Sequence, residues 1–450
     1  MSLVEEGPNP IELMRSRQFV LLLIVAAVVG LIASAAAFLF LEAIHQITEG
    51  LYDDLPDALG FDSTPDWWSL PVLVAASFVV AWAIERLPGT GGHIPVHGLS
   101  TEPIEPKELP GVIVAAIAGI GFGIVLGPEA PLIAIGGGIG LMVVRRMARE
   151  APDAIGTLMA TCGLFAAISF LFGSPVIAAV LIIEAAGLDK NRLTLVLIPG
   201  LLAAGIGSLV STGIDSWTGV DTKDFALTPL QLDAFPRPTF VDFLWTAPLA
   251  AVVAVLVLGV VAIGKRVERP ALGKPFLVLP AVAVATSLLA IVFDLTTGKG
   301  PEQVLFSGES ALPSLVSDGA GWSVGALLLL IGCKAIAYGL ALGSYRGGPV
   351  FPALFVGTAA GLLAAKLPGF DLTAAIAVGM GAATVAVLRL PLSSVVLAVL
   401  LTSTAGLGAN ALIIVGVVVS FLVVTLLSPP QEDPPPAEAS PAPQPAPATG

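Results

Sequence analysis

Few residues in this sequence could do chemistry in an apolar setting, and the foremost is Glu129, in the segment GPEAPLIAIGGGIG at 127–140. Its frame recurs. Residues 348–361 read GPVFPALFVGTAAG, so that Gly127, Pro128, Pro131, Gly136 and Gly140 reappear 221 positions later as Gly348, Pro349, Pro352, Gly357 and Gly361. A second pair shares a spacing of 12: Gly163 with Pro175 before VIAAVLII, and Gly379 with Pro391 before LSSVVLAV. In each copy the Gly-Pro pair stops a preceding helix, and proline suits the first turn of the next one. Segments 127–131 and 348–352 are therefore predicted to be helix N-termini. Such an end carries about half a positive charge and several unpaired amide donors, so it attracts an anion without the burial of a lysine. Two ends facing one point make an anion site. The Glu129 carboxylate would compete for that site, and its protonation would vacate it. The plainer reading of the repeat is a packing motif of small residues.

Other candidates carry less. His93 and His97 stand four apart, but no third ligand is near them in the sequence, and no metal is expected. His45 follows the first apolar run and reads as interfacial. Lys334 lies inside the apolar segment 322–343, where it would pair with an acid or raise the local positive potential. Cys162 and Cys333 both fall in apolar runs, so no disulfide framework is expected. No Walker loop follows a strand and no nucleotide-binding signature occurs, so the sequence implies no cofactor and no enzyme, and any ion movement should be passive or ion-coupled.

The elements that must hold these residues are membrane helices. Hydrophobic residues make up 56% of the chain and charged residues 12%, with a mean hydropathy of +0.95, which excludes an ordinary soluble enzyme. A helix needs about 20 apolar residues to cross the hydrocarbon core, and uncharged runs occur at 18–41, 154–183, 193–214, 243–264 and 390–431. Some are too long for one helix, and 130–144 is too short to span alone, so broken and re-entrant helices are expected. The 49 glycines, often four apart, permit the close helix approach that holds bundles together in lipid. The first run follows Arg15 and Arg17 with no small-residue cleavage site and reads as a retained helix. Arg145, Arg146 and Arg149, and again Lys265, Arg266 and Arg269, mark cytoplasmic segments. The net charge of −13 argues against nucleic-acid binding. The expected architecture is an all-α polytopic bundle of tilted and broken helices in two inverted repeats, with the substrate site where the repeats meet. Its parts are an N-terminal segment 1–17, a transmembrane unit 18–427 (repeats about 18–214 and 240–427), and a Pro/Ala-rich tail 428–450 too poor in core-forming residues to fold.

GIVLGPEAPLIAIGGGIG, 123–140, is similar to a motif of the CLC family of chloride channels and proton/chloride antiporters that reads glycine, a variable residue, glutamate, glycine, proline. KAIAYGLALGSYRGGPVFPALFVGTAAG, 334–361, resembles the family's second-half anion-binding segment, and GTGGHIP, 89–95, more faintly its Gly-Ser-Gly-Ile-Pro loop. The resemblance runs from about 19 to 427 and suggests a divergent prokaryotic-type member without a soluble regulatory domain. It implies a homodimer in a plasma or inner membrane, each subunit with its own anion path. It makes Glu129 the external gate and places the anion against Gly91, Gly92, His93, Ile94 and Pro95, against Gly127, Pro128, Ala130 and Pro131, and against Gly348, Pro349, Val350, Phe351 and Pro352.

The departures bear on mechanism. Gly92 stands where the family has an anion-binding serine. The two residues whose amides would face the anion align with Pro349, which has no N–H, and Val350. Of Tyr52, Tyr338 and Tyr345, none matches the family's anion-contacting tyrosine. Ala185 occupies the position of the exchangers' internal proton-transfer glutamate, and its neighbour Glu184 reads as structural. The expected function is transport of chloride or similar small anions, gated by Glu129, passive and channel-like with weak or absent proton coupling. The alternatives are a proton-coupled chloride antiporter, a fluoride-selective exporter and a non-transporting membrane sensor or scaffold.

Overall fold

The computed structural model describes residues 14–147, 152–187, 190–218 and 228–428. The tail beyond Ser428, most of the segment 1–17 and Arg149 lie outside the described residues. Helices follow one another as α1 (Arg17–Glu49), α2 (Ser69–Arg86), α3 (Leu109–Ile120), α4 (Glu129–Met147), α5 (Asp153–Phe172), α6 (Pro175–Ala186) and α7 (Lys190–Thr218). The second half holds α8 (Phe240–Gly273), α9 (Pro275–Thr297), α10 (Leu312–Ser317), α11 (Val324–Ser344), α12 (Val350–Ala364), α13 (Leu372–Leu388), α14 (Pro391–Leu401) and α15 (Asn410–Leu427). Among the described residues, nine stretches are long and apolar enough to cross a membrane. Their outward faces carry large exposed side chains such as Leu21, Leu39, Val252 and Leu426, the surface a bilayer would cover.

The long apolar runs break where local chemistry demands. Run 154–183 becomes α5 and α6 because Gly173 takes a left-handed conformation (φ 60°), Ser174 accepts a hydrogen bond from the Ile177 amide, and Pro175 opens the next helix. Arg389 holds the corresponding place in the second half, ten residues after Gly379 as Gly173 is ten after Gly163. It also adopts the left-handed conformation (φ 58°), unusual for a residue with a Cβ, and its Nη2 donates to Ser428 Oγ at 2.8 Å. The segment expected to be too short to span, 130–144, is part of a helix of 19 residues. The helix runs past the apolar segment to Met147, and in its last turn Arg145 donates twice to Glu105 (2.6 and 2.8 Å), a favourable end for a cation.

The repeated glycines bring repeated helix pairs into backbone contact. A Cβ on Gly163 would lie 1.9 Å from the Gly136 carbonyl oxygen, and one on Gly379 would lie 2.1 Å from that of Gly357. Gly140 meets the Met159 carbonyl and Gly361 the Ala375 carbonyl in the same way. Thus α4 packs on α5 as α12 packs on α13, and α13 is buried along its length. These pairs fix the starts of α4 and α12 deep in the protein.

Candidate functional site

The two Gly-Pro segments meet. Gly127 and Gly348 form an isolated antiparallel bridge, with the Gly127 amide donating to the Gly348 carbonyl at 2.8 Å and the Gly348 amide donating back. Helix α4 begins two residues after Gly127, and α12 two residues after Gly348. Both N-termini therefore converge on one point, as the repeat predicts.

Glu129 sits at that point, fully buried. Its Oε1 accepts a hydrogen bond from the Phe351 amide at 2.8 Å, and the amides of Val350 and of Glu129 itself also face the carboxylate. Oε2 has no hydrogen-bond partner among the described residues. A Cβ on Gly348 would lie 1.4 Å from that oxygen and one on Gly127 would lie 2.3 Å away, so the carboxylate needs glycine on both sides. At the Glu129 carboxylate the donor pair lies one residue beyond the Pro349–Val350 pair named from the alignment. Helix α12 starts at Val350, so Val350 and Phe351 present the first free N–H groups and the absent Pro349 donor lies outside the pair. The Pro349 carbonyl instead accepts from Tyr338 Oη at 2.6 Å.

Pro128 and Pro352 shape the two helix starts, the Pro128 carbonyl accepting from the Leu132 amide. Ala130 and Pro131 line a cavity of about 260 Å³ on the other side of the α4 start, together with Gly91, Gly92 and His93. Ile94 and Pro95 are not part of its wall. They form the next turn, in which the Ile94 carbonyl accepts from the His97 amide. Exposed Glu102 and Pro103 and half-buried Ser100 also line the cavity. That loop is tied to Arg145 through Glu105 and to the 265–269 cluster through His97 and Glu268 (2.6 Å). Both predicted cytoplasmic clusters are thus tied to the 97–105 segment that lines the cavity.

Several predicted roles resolve into structure. His93 Nε2 engages the Gly98 carbonyl, so His93 and His97 have different partners, and burial with the neighbouring His97 charge lowers the His93 pKa. Among the described residues Lys334 pairs with no acid. Its Nζ donates to the carbonyls of Leu305 (2.7 Å) and Phe306 (3.0 Å) and lies over the Phe355 ring. The Glu184 carboxylate accepts from the Leu392 and Ser393 amides and from Ser393 Oγ, capping α14, while adjacent Ala185 brings no titratable group.

Sequence reasoning passed over two charged groups. Arg346 lines the cavity and is only 4% exposed. Its signal was available: a lone cation two residues ahead of a repeated Gly-Pro. Glu309 lies in a loop, yet its Oε1 is enclosed without a partner among the described residues. Nothing in its sequence context distinguishes it from a surface acid.

The sequence profile described as voltage gated chloride channel matches residues 76–425. Over 356 residues the chain is 28% identical to a protein named "Putative ion-transport protein YfeO" from Escherichia coli O6:H1 (strain CFT073), covering 78% of this chain and 80% of that one. The structure resembles that of a slow cyanobacterial Cl−/H+ antiporter, with a TM-score of 0.69 at 19% identity over 90% of this chain and 96% of the other. It also resembles a CLC-type fluoride/proton antiporter, with a TM-score of 0.65 at 15% identity over 93% and 98%. At these identities the two structures speak for the fold.

Proposed function

The chain belongs to the voltage gated chloride channel family, whose work is anion transport, and from that premise we propose that it conducts chloride or a similar small anion through each subunit of a homodimer, with Glu129 as the gate. The transport unit is residues 18–427, the repeats being about 18–214 and 240–427. One observation carries the reading: the buried Glu129 carboxylate occupies the point where two helix N-termini converge, bonded to the Phe351 amide. Amides that hold a carboxylate oxygen can hold a halide in its place. The ionised side chain therefore competes with the anion, and protonation releases it. The pathway is passive in this reading, with weak or absent proton coupling, because Glu184 is committed to the α14 cap and Ala185 cannot titrate.

The test is efflux from liposomes loaded with chloride, fluoride or nitrate, comparing the wild type with Glu129→Gln. Wild-type flux should rise as pH falls, and Glu129→Gln should give flux that is faster or independent of pH. Unchanged rate and pH response in the variant would remove Glu129 from the gate, and absence of flux for every anion would favour a sensor or scaffold. Flux of fluoride alone would move the reading to a fluoride exporter.

A further inference from the structure

We propose that Arg346 is an anion-binding residue, holding a small monovalent anion in the cytoplasmic-side cavity next to the start of α4. The inference deepens the transport reading and rests on it, since it assigns this cavity to the same path. Arg346 reaches the cavity because the chain leaves α11 at Ser344 and must pair at Gly348, two residues beyond the arginine. Two residues of chain span at most about 7 Å, so Arg346 is anchored close to the Gly127–Gly348 bridge. Its stem passes Gly91, where a Cβ would come within 3.3 Å of Arg346 Cγ and where φ is +76°. Glycine there admits the arginine to the wall.

The charge on Arg346 has no direct counter-ion. Among the described residues no carboxylate lies within ion-pair distance of it. Glu268 acts on it only from a distance and is itself bonded to His97. Burial lowers its pKa to about 10, so it remains a cation at neutral pH. Its hydrogen bonds to protein are long and end on carbonyls: Nε to Thr90 at 3.2 Å, and Nη1 to Ser344 and Tyr345 at 3.4 and 3.3 Å. Nη2 donates to no described residue. A guanidinium carries five donors in a fork suited to anions, and a buried charge without a partner is costly. The same cavity is lined by Ala130 and Pro131, in the first turn of α4, so the helix dipole adds to the arginine. Glu102 and Glu108 also line it. Glu102 is exposed and Glu108 half-buried, so water screens both more than it screens Arg346. The guanidinium supplies the side-chain donor that Gly92 cannot.

Two measurements on the full chain decide the matter. Crystals grown without chloride and soaked in bromide should show anomalous bromine scattering beside the Arg346 guanidinium, and a cavity containing water alone would overturn the proposal. Calorimetric chloride titration should show Arg346→Gln weakened about tenfold or more, the loss expected for one charge-assisted hydrogen bond. Arg346→Lys should stay within about threefold of the wild type. Equal weakening in both variants would assign Arg346 to strapping the 88–92 loop and would also overturn it. If Arg346→Gln does not elute as folded protein, the bromide result on the wild type decides. Failure here is separable from failure of the transport reading. Liposome flux in the wild type and in Glu129→Gln with no bromide at Arg346 rejects only this site, whereas bromide at Arg346 without flux rejects only transport.

Discussion

The charged groups taken from water divide by what satisfies them. Lys334 has two carbonyls and a ring face, whereas half-buried Glu309 keeps one enclosed oxygen with no partner among the described residues. Burial, reinforced by the charge of Glu129, pushes the Glu309 carboxyl well above the usual carboxylate range. The sign follows from linkage: the folded protein holds this proton more tightly than the unfolded chain. The stability of the neutral form is therefore fully present below the unfolded value of about 4.3 and is lost as pH rises through the folded value. Glu309→Gln keeps the shape and cannot ionise. In detergent at pH 8 it should unfold at a higher temperature than the wild type, and the two should converge at pH 4. Equal midpoints at pH 8 would show that the carboxylate is satisfied in the fold.

Helix pairs in lipid are held by close backbone approach, and here that approach is set by single glycines. Gly163→Ala would drive a Cβ into the Gly136 carbonyl at 1.9 Å, a backbone clash that no rotamer relieves. The expected loss is at the upper end of the roughly 1–3 kcal/mol that overpacking costs, read as a lower unfolding midpoint. Gly205→Ala, which would meet nothing within 4 Å, is the control and should be neutral or gain up to about 1 kcal/mol from helix propensity. A midpoint for Gly163→Ala equal to that of Gly205→Ala would refute the close-packing account. The close packing was legible in the sequence because glycine and proline act locally: the glycine content implied close helix approach, and Gly136, Gly163, Gly357 and Gly379 stood in the repeated frames. Which glycine meets which is shown only by the folded chain. The convergence of 127–131 on 348–352 was legible as well, since a repeat implies equivalent ends. Phe351 was among the residues expected around the anion, but its amide lies one place beyond the aligned Pro349–Val350 pair, because α12 begins after Pro349 and not with it. The Arg346 cavity was not legible, since its walls come from segments around 90, 130 and 346 that only the folded chain assembles.

At the scale of the whole molecule, the open question of mechanism is whether protons cross with the anion. An exchanger needs a proton route from the junction of the halves to the cytoplasmic side, distinct from the anion's own. Carrying charge through an apolar interior without a relay is costly, so some titratable group must stand between. On α6 the available acid is Glu184, but its carboxylate accepts from two amides and a hydroxyl at the start of α14 and ties the two halves together. Releasing it to carry a proton would uncap that helix. Ala185 offers nothing in its place. The predicted outcome is anion flux without fixed proton movement. Vesicles with a chloride gradient and no proton gradient, clamped with potassium and valinomycin and followed by an external pH electrode, should show chloride efflux and no stoichiometric proton uptake. The similar fold of a Cl−/H+ antiporter makes the measurement discriminating, since the same architecture serves coupled transport there. Proton movement against its gradient at a constant ratio to chloride would reject the passive reading. Repeating the assay with Glu184→Gln would then show whether the capping carboxylate is the relay, because that variant keeps the side chain's length and one acceptor oxygen while removing its titration.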